Sequence, residues 1–533
     1  MRRKILRTGA TLAILVSLVF LSTSPAQAAF EFFDGKLVLK GFVKNTTYVR
    51  TDMQKRDYPY HDSKVDLSKN SAFVQALYNF QETPDYSLKF IVSFMYWYEM
   101  ATRYDDQLRK SIAPPLRDNY QQPRKFDDDI LTECYADYIN GPWNIRAGKQ
   151  IVTWGELDVD RAADVINPID LRWGVPGIEA WEEVKRPLWL IRTTYQSQLP
   201  GNLLFENIIN PGHLLSSMTL PPPGTHWSAD HWENNPFTKH GPGVVDWTSV
   251  RWIHEAEARR YNIKNFAIGF RVRGYTYNVD WTLLWWNSPS TGPVVNAKHA
   301  AAFGAQYIGV AIPAMITGKD TIRWNDLPDV MSYSPKVYDW KRNNVFAGTA
   351  QTTFSNFMPS AVWRAEVAYT VGESVNVSEA NSLSSAYGIK KQNILATAVS
   401  WSDKWTIPWF TRYICTGKQM ETTLTLYNLK IINKDKDLIT TAPYSIEKNA
   451  ESNPKVSLFA QLYMFNYSWV LTFIGSYQID SERTMVCPTL SYVFPGENWR
   501  AEAGWVGYIT QRGYLRGSYY DKDSVILRLR YEF

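Results

Sequence analysis

The chain ends in Asp523-Ser-Val-Ile-Leu-Arg-Leu-Arg-Tyr-Glu-Phe533, and this stretch decides the fold. Val525, Leu527, Leu529, Tyr531 and Phe533 fall on one face, and Ile526, Arg528, Arg530 and Glu532 on the other. Strict period-two alternation marks a strand with one apolar face and one mostly charged face. In a membrane barrel the apolar face meets lipid and the charged face meets the lumen, so Arg528 and Arg530 are expected to point inward. A soluble edge strand alternates in the same way, so the rest of the chain has to choose between the two.

The opposite end supports the membrane reading. Arg2, Arg3, Lys4 and Arg7 precede an apolar run from Gly9 to Leu21, and Ala26-Gln27-Ala28 supplies a small-x-small cleavage pattern. These are the parts of a secretory signal peptide. The apolar run is shorter than the roughly 20 residues a spanning helix needs. Residues 1–28 are therefore expected to be a cleaved signal and 29–533 a single barrel domain. The terminal Phe533, with Tyr531 before it, resembles the signal read by the outer-membrane barrel assembly machinery. The outer-membrane bilayer of a Gram-negative bacterium and that machinery are the first partners expected.

Composition agrees. Aromatic residues make up 15% of the chain, with 22 Trp and 32 Tyr, as expected where rings line both membrane interfaces. Four of the 57 basic residues and none of the 52 acidic ones lie in residues 1–28, so the mature chain is close to neutral. That balance gives no reason to expect a nucleic-acid partner. Cys134, Cys415 and Cys487 are far apart and odd in number, and are read as isolated residues.

Hairpins recur along the chain. Segments 72–80 and 87–98 flank Pro84-Asp85, 131–140 and 144–152 flank Gly141-Pro142, and 188–196 and 202–208 flank Leu199-Pro200-Gly201. Segments 456–465 and 469–478 surround Asn466-Tyr467-Ser468, and 486–494 and 499–508 surround Pro495-Gly496-Glu497-Asn498. Tight turns between alternating segments read as hairpins. Between them lie longer connections at 50–70, 100–128, 154–187, 210–261, 287–344, 373–391 and 432–454. Short turns at one end and long loops at the other describe an all-β antiparallel transmembrane barrel with an even strand number, about 18 and within 14 to 18. The uncharged stretch 299–318 is read as an apolar part of the 287–344 loop, since Gly304, Gly309 and Pro313 interrupt it.

Arg146–Ile191 is the most distinctive segment: RAGKQIVTWGELDVDRAADVINPIDLRWGVPGIEAWEEVKRPLWLI. With WTLLWWNSP at 281–289, NVFAGTAQTTF…RAEVAYT at 344–370 and WTIPWFTRYICTGKQ at 405–419, it resembles a bacterial family of unknown function, DUF1302. WGE and INPID are the most specific parts. The resemblance implies an outer-membrane barrel working beside an inner-membrane transporter of the resistance-nodulation-division (RND) type and a periplasmic lipid-carrier-like protein. Movement of a hydrophobic or amphipathic small molecule or lipid would follow. No catalytic residues carry over.

Read from its residues alone, 154–187 is too long for a turn and dense in charge. Trp154, Glu156, Asp158, Asp160, Arg161, Asp164, Asn167, Asp170, Arg172 and Arg186 are its candidate constriction residues, among further acids including Glu179 and Glu183. Pro168, Pro176 and Gly177 restrict its path, so the loop is expected to be ordered. It either folds into the lumen and narrows it, paired with inward arginines such as Arg528 or Arg530, or braces the wall and mouth.

Enzyme signatures are set aside. His254-Glu255 lacks a second His four positions on, where Ala258 stands, and His226 and His231 are the nearest approach to a cluster. No GxSxG elbow, P-loop or dinucleotide fingerprint occurs at a suitable place. No catalytic residue, metal or cofactor is expected. The leading expectation is a conduit for hydrophobic or amphipathic cargo. The alternatives are a water-filled porin for polar solutes and a barrel-anchored surface enzyme or adhesin built on loops 210–261 and 287–344.

Overall fold

A computed structural model describes residues 29–51, 65–100 without 84, 130–215 without 171–177 and 180, 261–295 without 293, 338–435 without 355–359, 379–386 and 406–419, 451–510 without 481 and 497, and 523–533. Among these residues eighteen long strands form one antiparallel sheet. They are β1 (Leu37–Arg50), β2 (Val65–Glu82), β3 (Tyr86–Glu99), β4 (Leu131–Asn140), β5 (Trp143–Gln150), β6 (Leu188–Gln196), β7 (Leu204–Asn210), β8 (Ala267–Thr276) and β9 (Val279–Pro289). There follow β10 (Arg342–Thr353), β11 (Val362–Ser378), β12 (Tyr387–Trp405), β13 (Met420–Ile432), β14 (Ser452–Met464), β15 (Trp469–Gln478), β16 (Arg483–Val493), β17 (Trp499–Thr510) and β18 (Ser524–Glu532).

Each strand pairs with the next in sequence, and β18 returns to β1, with Phe42 opposite Glu532 and Arg50 opposite Ser524. The sheet is closed, so it has no edge and every strand has two neighbours, as a backbone in lipid requires. A short strand, Phe30–Phe32, folds back on Leu37–Leu39. A four-residue helix, Trp181–Val184, and a 3-10 turn at Ile263–Asn265 are the helical pieces among the described residues.

The alternation of the last strand is realised. Leu527 and Leu529 are each 46% exposed on the outer face, while Ile526 is fully buried inside. Phe533 stays on the outer face with Tyr531, whose ring centroid is 6.3 Å away, but unlike the leucines it is covered by protein. It is buried against Phe30, with ring centroids 6.0 Å apart, and exchanges backbone hydrogen bonds with Gly41. Three cross-strand Trp–Tyr pairs mark the end with the short turns. Trp143–Tyr195, Trp469–Tyr492 and Trp499–Tyr531 have ring centroids 4.6, 4.8 and 4.8 Å apart. Each pair joins the first residue of a rising strand to the end of its neighbour, an aromatic belt at one membrane interface.

The expected hairpins are all present. The long connections shrink in two places. β2 begins at Val65, inside the 50–70 connection, and β11 and β12 run to Ser378 and from Tyr387, inside 373–391. Those extensions carry only isolated apolar residues, such as Val65 and Leu67 in β2 and Val375 in β11, among polar ones. A register shift between Thr370 and Glu373, with Gly372 at φ 71°, starts one of them. The uncharged 299–318 stretch lies outside the described residues, as do residues 1–28.

Strand parity places the 151–187 connection at the end opposite both chain termini. The wall is low there: β5, β6 and β7 have 8, 9 and 7 residues, against 17 and 19 in β11 and β12. A strand rises about 3.4 Å per residue, so the connection leaves the wall well below the rim.

The seam tolerates no side chain at Gly41, where a Cβ would lie 2.1 Å from the Phe73 carbonyl oxygen and 2.9 Å from Phe533 Cζ. Gly41→Leu is expected to cost about 3 kcal/mol or more through this overpacking, read as a lower midpoint of urea unfolding in detergent. An unchanged midpoint would mean that the seam is not set by this contact.

Candidate functional site

Residues 151–187 do not cover the mouth of the barrel; they fold into it. Their first part lies on the inner wall of β6 to β13. Val152, Trp154, Leu157, Ala163 and Ile166 are buried against Leu190, Ile208, Ala267, Leu284, Trp286, Ala347, Ala368 and Ala398. The wall mixes large residues with small ones there, Ala267, Ala347, Ala368 and Ala398 among them. At Gly269 a Cβ would come 2.8 Å from Trp154 Cη2 and 2.5 Å from Trp286, so the Trp154 ring fills the space that a larger residue would occupy.

Polar anchors then tie the loop to strands all round the barrel. The Trp154 indole N–H donates to Glu206 of β7 at 2.6 Å, and the same carboxylate takes Arg192 at 2.8 Å and Arg271 at 2.9 Å. Glu366 of β11 accepts three loop backbone N–H groups, from Glu156 at 2.5 Å, Leu157 at 2.9 Å and Ala163 at 2.8 Å. Converging backbone N–H groups make an anion cradle, here filled by a wall carboxylate. Gly155 lies against that carboxylate, where a Cβ would be 3.2 Å from Oε1. Asp158 pairs with Arg364 at 3.5 Å, and Asp160, at φ 53°, accepts from Lys455 at 2.6 Å and Ser457 at 2.5 Å on β14.

The loop is also braced on itself. Asn167 accepts the Val152 N–H at 2.7 Å and donates to the Arg186 carbonyl at 2.8 Å. Arg161 lies 3.3 Å from Asp164, which also takes Lys185. The Asp170 N–H donates to Val184 at 2.6 Å and the Arg186 N–H to Pro168 at 2.8 Å, so the incoming and outgoing limbs run side by side.

The far end of the loop meets the seam. Glu179, whose side chain is 2% exposed, lies 3.5 Å from Lys44 of β1, 3.9 Å from Lys69 of β2 and 3.7 Å from Arg528 of β18, and accepts from the Tyr48 hydroxyl at 3.3 Å. Glu183 pairs with Lys44. Burial alone would push the Glu179 carboxyl up, but Lys69, Lys44 and Arg528 outweigh it and hold it well below the usual carboxylate range. Two acids thus sit among three cations, each acid paired at a largely buried place.

Of the candidate residues, Trp154, Asp158, Asp160, Arg161, Asp164 and Asn167 make anchors through their side chains. Glu156, Asp170 and Arg186 anchor through their backbone N–H groups, and Arg172 lies outside the described residues. Arg528 meets a loop acid as expected. Arg530 does not: its Nε is 2.7 Å from Glu532, and its guanidinium carbon is 4.1 Å from the centre of the Phe42 ring. Sequence reasoning missed the receptors Lys44, Lys69, Glu206, Glu366 and Lys455. Lys44 was findable, since it falls on the polar face of the first strand beside Thr46 and Arg50, but nothing local distinguishes Glu366 from other wall acids.

What the loop leaves open is a cavity of about 760 Å³ against β11 to β18 and β1. Its lining mixes charged residues such as Arg364, Glu421, Arg500, Glu502 and Arg530 with Ile178, Phe459, Val470 and Ile474. Among the described residues no group of three or more His, Cys, Asp or Glu is placed to hold a metal ion. His226, His231, His254 and Cys415 lie outside them, as does most of the two long loops that the surface-enzyme alternative needs.

Two outcomes follow from these anchors. Glu366→Ala leaves three loop N–H groups without their acceptor and is expected to cost on the order of 3 kcal/mol, making the loop a target for limited proteolysis while the barrel resists. Glu179 has a folded pKa below its ordinary 4.5, so its contribution is full above that pH and is lost as pH falls toward the folded value. Proteolysis of the loop should therefore rise below about pH 4.5, and Glu179→Gln should show the acid-like susceptibility already at neutral pH. A loop equally resistant in both variants would refute the anchoring.

The sequence model for the DUF1302 family, described as a protein of unknown function, matches residues 9–432. No curated protein matches the chain. Among solved structures it is similar to Acinetobacter baumannii OccAB1, at 9% identity and TM-score 0.45, over 96% of this chain and 99% of that one. It is also similar to Pseudomonas aeruginosa OccK2 (OpdF) in complex with glucuronate, at 7% identity and TM-score 0.43, over 95% and 98%. Salmonella typhi OmpF in complex with daunomycin is similar at 8% identity and TM-score 0.40, over 95% and 100%. The family model covers most of the chain, which therefore belongs to the DUF1302 family.

Proposed function

We propose that this protein is a channel of the Gram-negative outer membrane for small amphipathic or polar solutes, with its lumen narrowed by residues 151–187. The observation that carries the reading is the anchoring of one loop to β1, β2, β7, β11, β14 and β18, which reaches across the lumen and leaves a cavity of about 760 Å³ beside it. A loop held only at its own strands would cover a mouth; one pinned to opposite walls sets the bore. The outer face supports the location: apolar side chains such as Phe270, Leu283 and Leu426 are about half exposed or more on strands of a closed sheet, where a bilayer would cover them.

The passage has an apolar side as well as a charged one, which favours an amphipathic cargo over a lipid lying wholly in the lumen. A passive barrel has no energy source. Direction would come from a concentration gradient or from the periplasmic carrier and RND-type transporter that the sequence resemblance implies, and these partners belong to the proposal.

In planar bilayers the intact protein is expected to show small conductance steps. A variant with residues 156–181 replaced by a short Gly/Ser bridge should conduct several-fold more, because the plug is gone and the wall is intact. Equal conductance in the two would remove the loop from the permeation path, and silence in both would overturn the channel reading.

A further inference from the structure

The strand register sets like charges side by side on the lumen wall. Lys44 of β1 is directly opposite Arg530 of β18, and Arg530 is directly opposite Arg500 of β17. A third such contact, Arg146 opposite Arg192, occurs on β5 and β6. No two acids face each other across any strand pair of the barrel among the described residues. Directly opposed like charges destabilise a sheet, so three basic pairs with no acidic counterpart need another reason to exist.

The row Lys44–Arg530–Arg500 lines the passage left beside the loop. Its charges are unequally engaged. Lys44 is taken by Glu179 and Glu183, and Arg530 by Glu532. Arg500 is exposed to the lumen and makes no ion pair with any described residue. The acids of the passage are already occupied: Glu502 by Arg528, Glu421 by Lys404, Asp158 by Arg364, while Asp403 accepts from Ser360. What the passage offers a solute is therefore positive charge at Arg500, with the Glu532-paired Arg530 opposite it in register, in a lining that also holds Phe459, Val470 and Ile474.

We propose that this row is a recognition stripe for organic carboxylates, so that the passage selects small anions with an apolar body. The inference rests on the channel reading and names its substrate class. Guanidinium groups present paired donors matched to a carboxylate, and two on adjacent strands supply them from one surface. The Arg530 guanidinium carbon stands 4.1 Å from the centre of the Phe42 ring, which fixes the group on the wall where it lines the passage. Inorganic phosphate shares the charge but has nothing to place on Phe459 and Ile474, which makes it the discriminating control.

The test measures chloride-to-potassium permeability in a salt gradient across planar bilayers, with benzoate and phosphate as probes, on the intact protein, Arg500→Gln, and Arg500→Gln/Arg530→Gln. Calorimetric titration of benzoate is run in parallel on the detergent-solubilised proteins. The intact channel should favour chloride several-fold, and benzoate should reduce its current at concentrations where phosphate does not. The double variant should bring the ratio near unity and abolish the benzoate effect. Arg500→Gln breaks no ion pair, so its partial loss of selectivity stands even if the double variant fails to fold. A cation-selective or indifferent channel, or variants that behave as the intact protein, would overturn the stripe and leave the channel standing. If the intact protein passes no current, benzoate binding lost in Arg500→Gln would keep the stripe while the channel fails, and no binding at all would end both.

Discussion

Everything described here depends on the seam where β18 returns to β1. In hydrocarbon an unpaired backbone group costs several kcal/mol, so the sheet has to close on itself. Gly41 and Phe533 pair through their backbones at this seam, on a site too narrow for any other residue at position 41. Closure does more than remove an edge. It sets Lys44 and Tyr48 of one end of the chain beside Arg528 of the other, and those groups, with Lys69 from β2, are the seat of Glu179.

The loop is the second consequence. Short strands β5 to β7 release it low on the wall, and its apolar face then packs on the inward residues of β6 to β12. The arrangement is reciprocal. Glu206 and Glu366 would be costly buried acids in an empty dry corner, and the Trp154 indole and three backbone N–H groups would be costly orphans if left unpaired. Brought together they satisfy one another. The anchors at Glu206, Glu366 and Glu179 are buried, so salt screens them less than it does a surface ion pair. The bore is therefore a property of the folded barrel and not of a mobile lid.

The apolar content of the lumen has the same origin. Tyr48, Leu67, Met95, Trp97, Cys487 and Ile526 cluster on the inner wall with Ile178 of the loop packed against them. A purely aqueous pore would have no use for such a patch. With the first part of the loop packed against β6 to β13, the open space lies on the side of β11 to β18 and β1, bounded by both kinds of surface.

The division between sequence and tertiary structure follows from range. Alternation in 523–533, tight turns such as Gly141-Pro142 and the aromatic surplus are local signals, and they specify a large antiparallel barrel with its lumen-facing Arg528 already identified. The charge density of 154–187 marks an ordered loop by the same local logic. Local signals fail past the register shift at Gly372, where the short, mostly polar extensions of β11 and β12 read as loops. They fail again at the receptors. Glu366 meets Leu157 across a separation of 209 residues, and Lys455 meets Asp160 across 295. Whether the loop plugs or caps, and which cations end in one row, depends on the register of eighteen strands around a closed circle, where a shift of one residue turns every side chain to the other face.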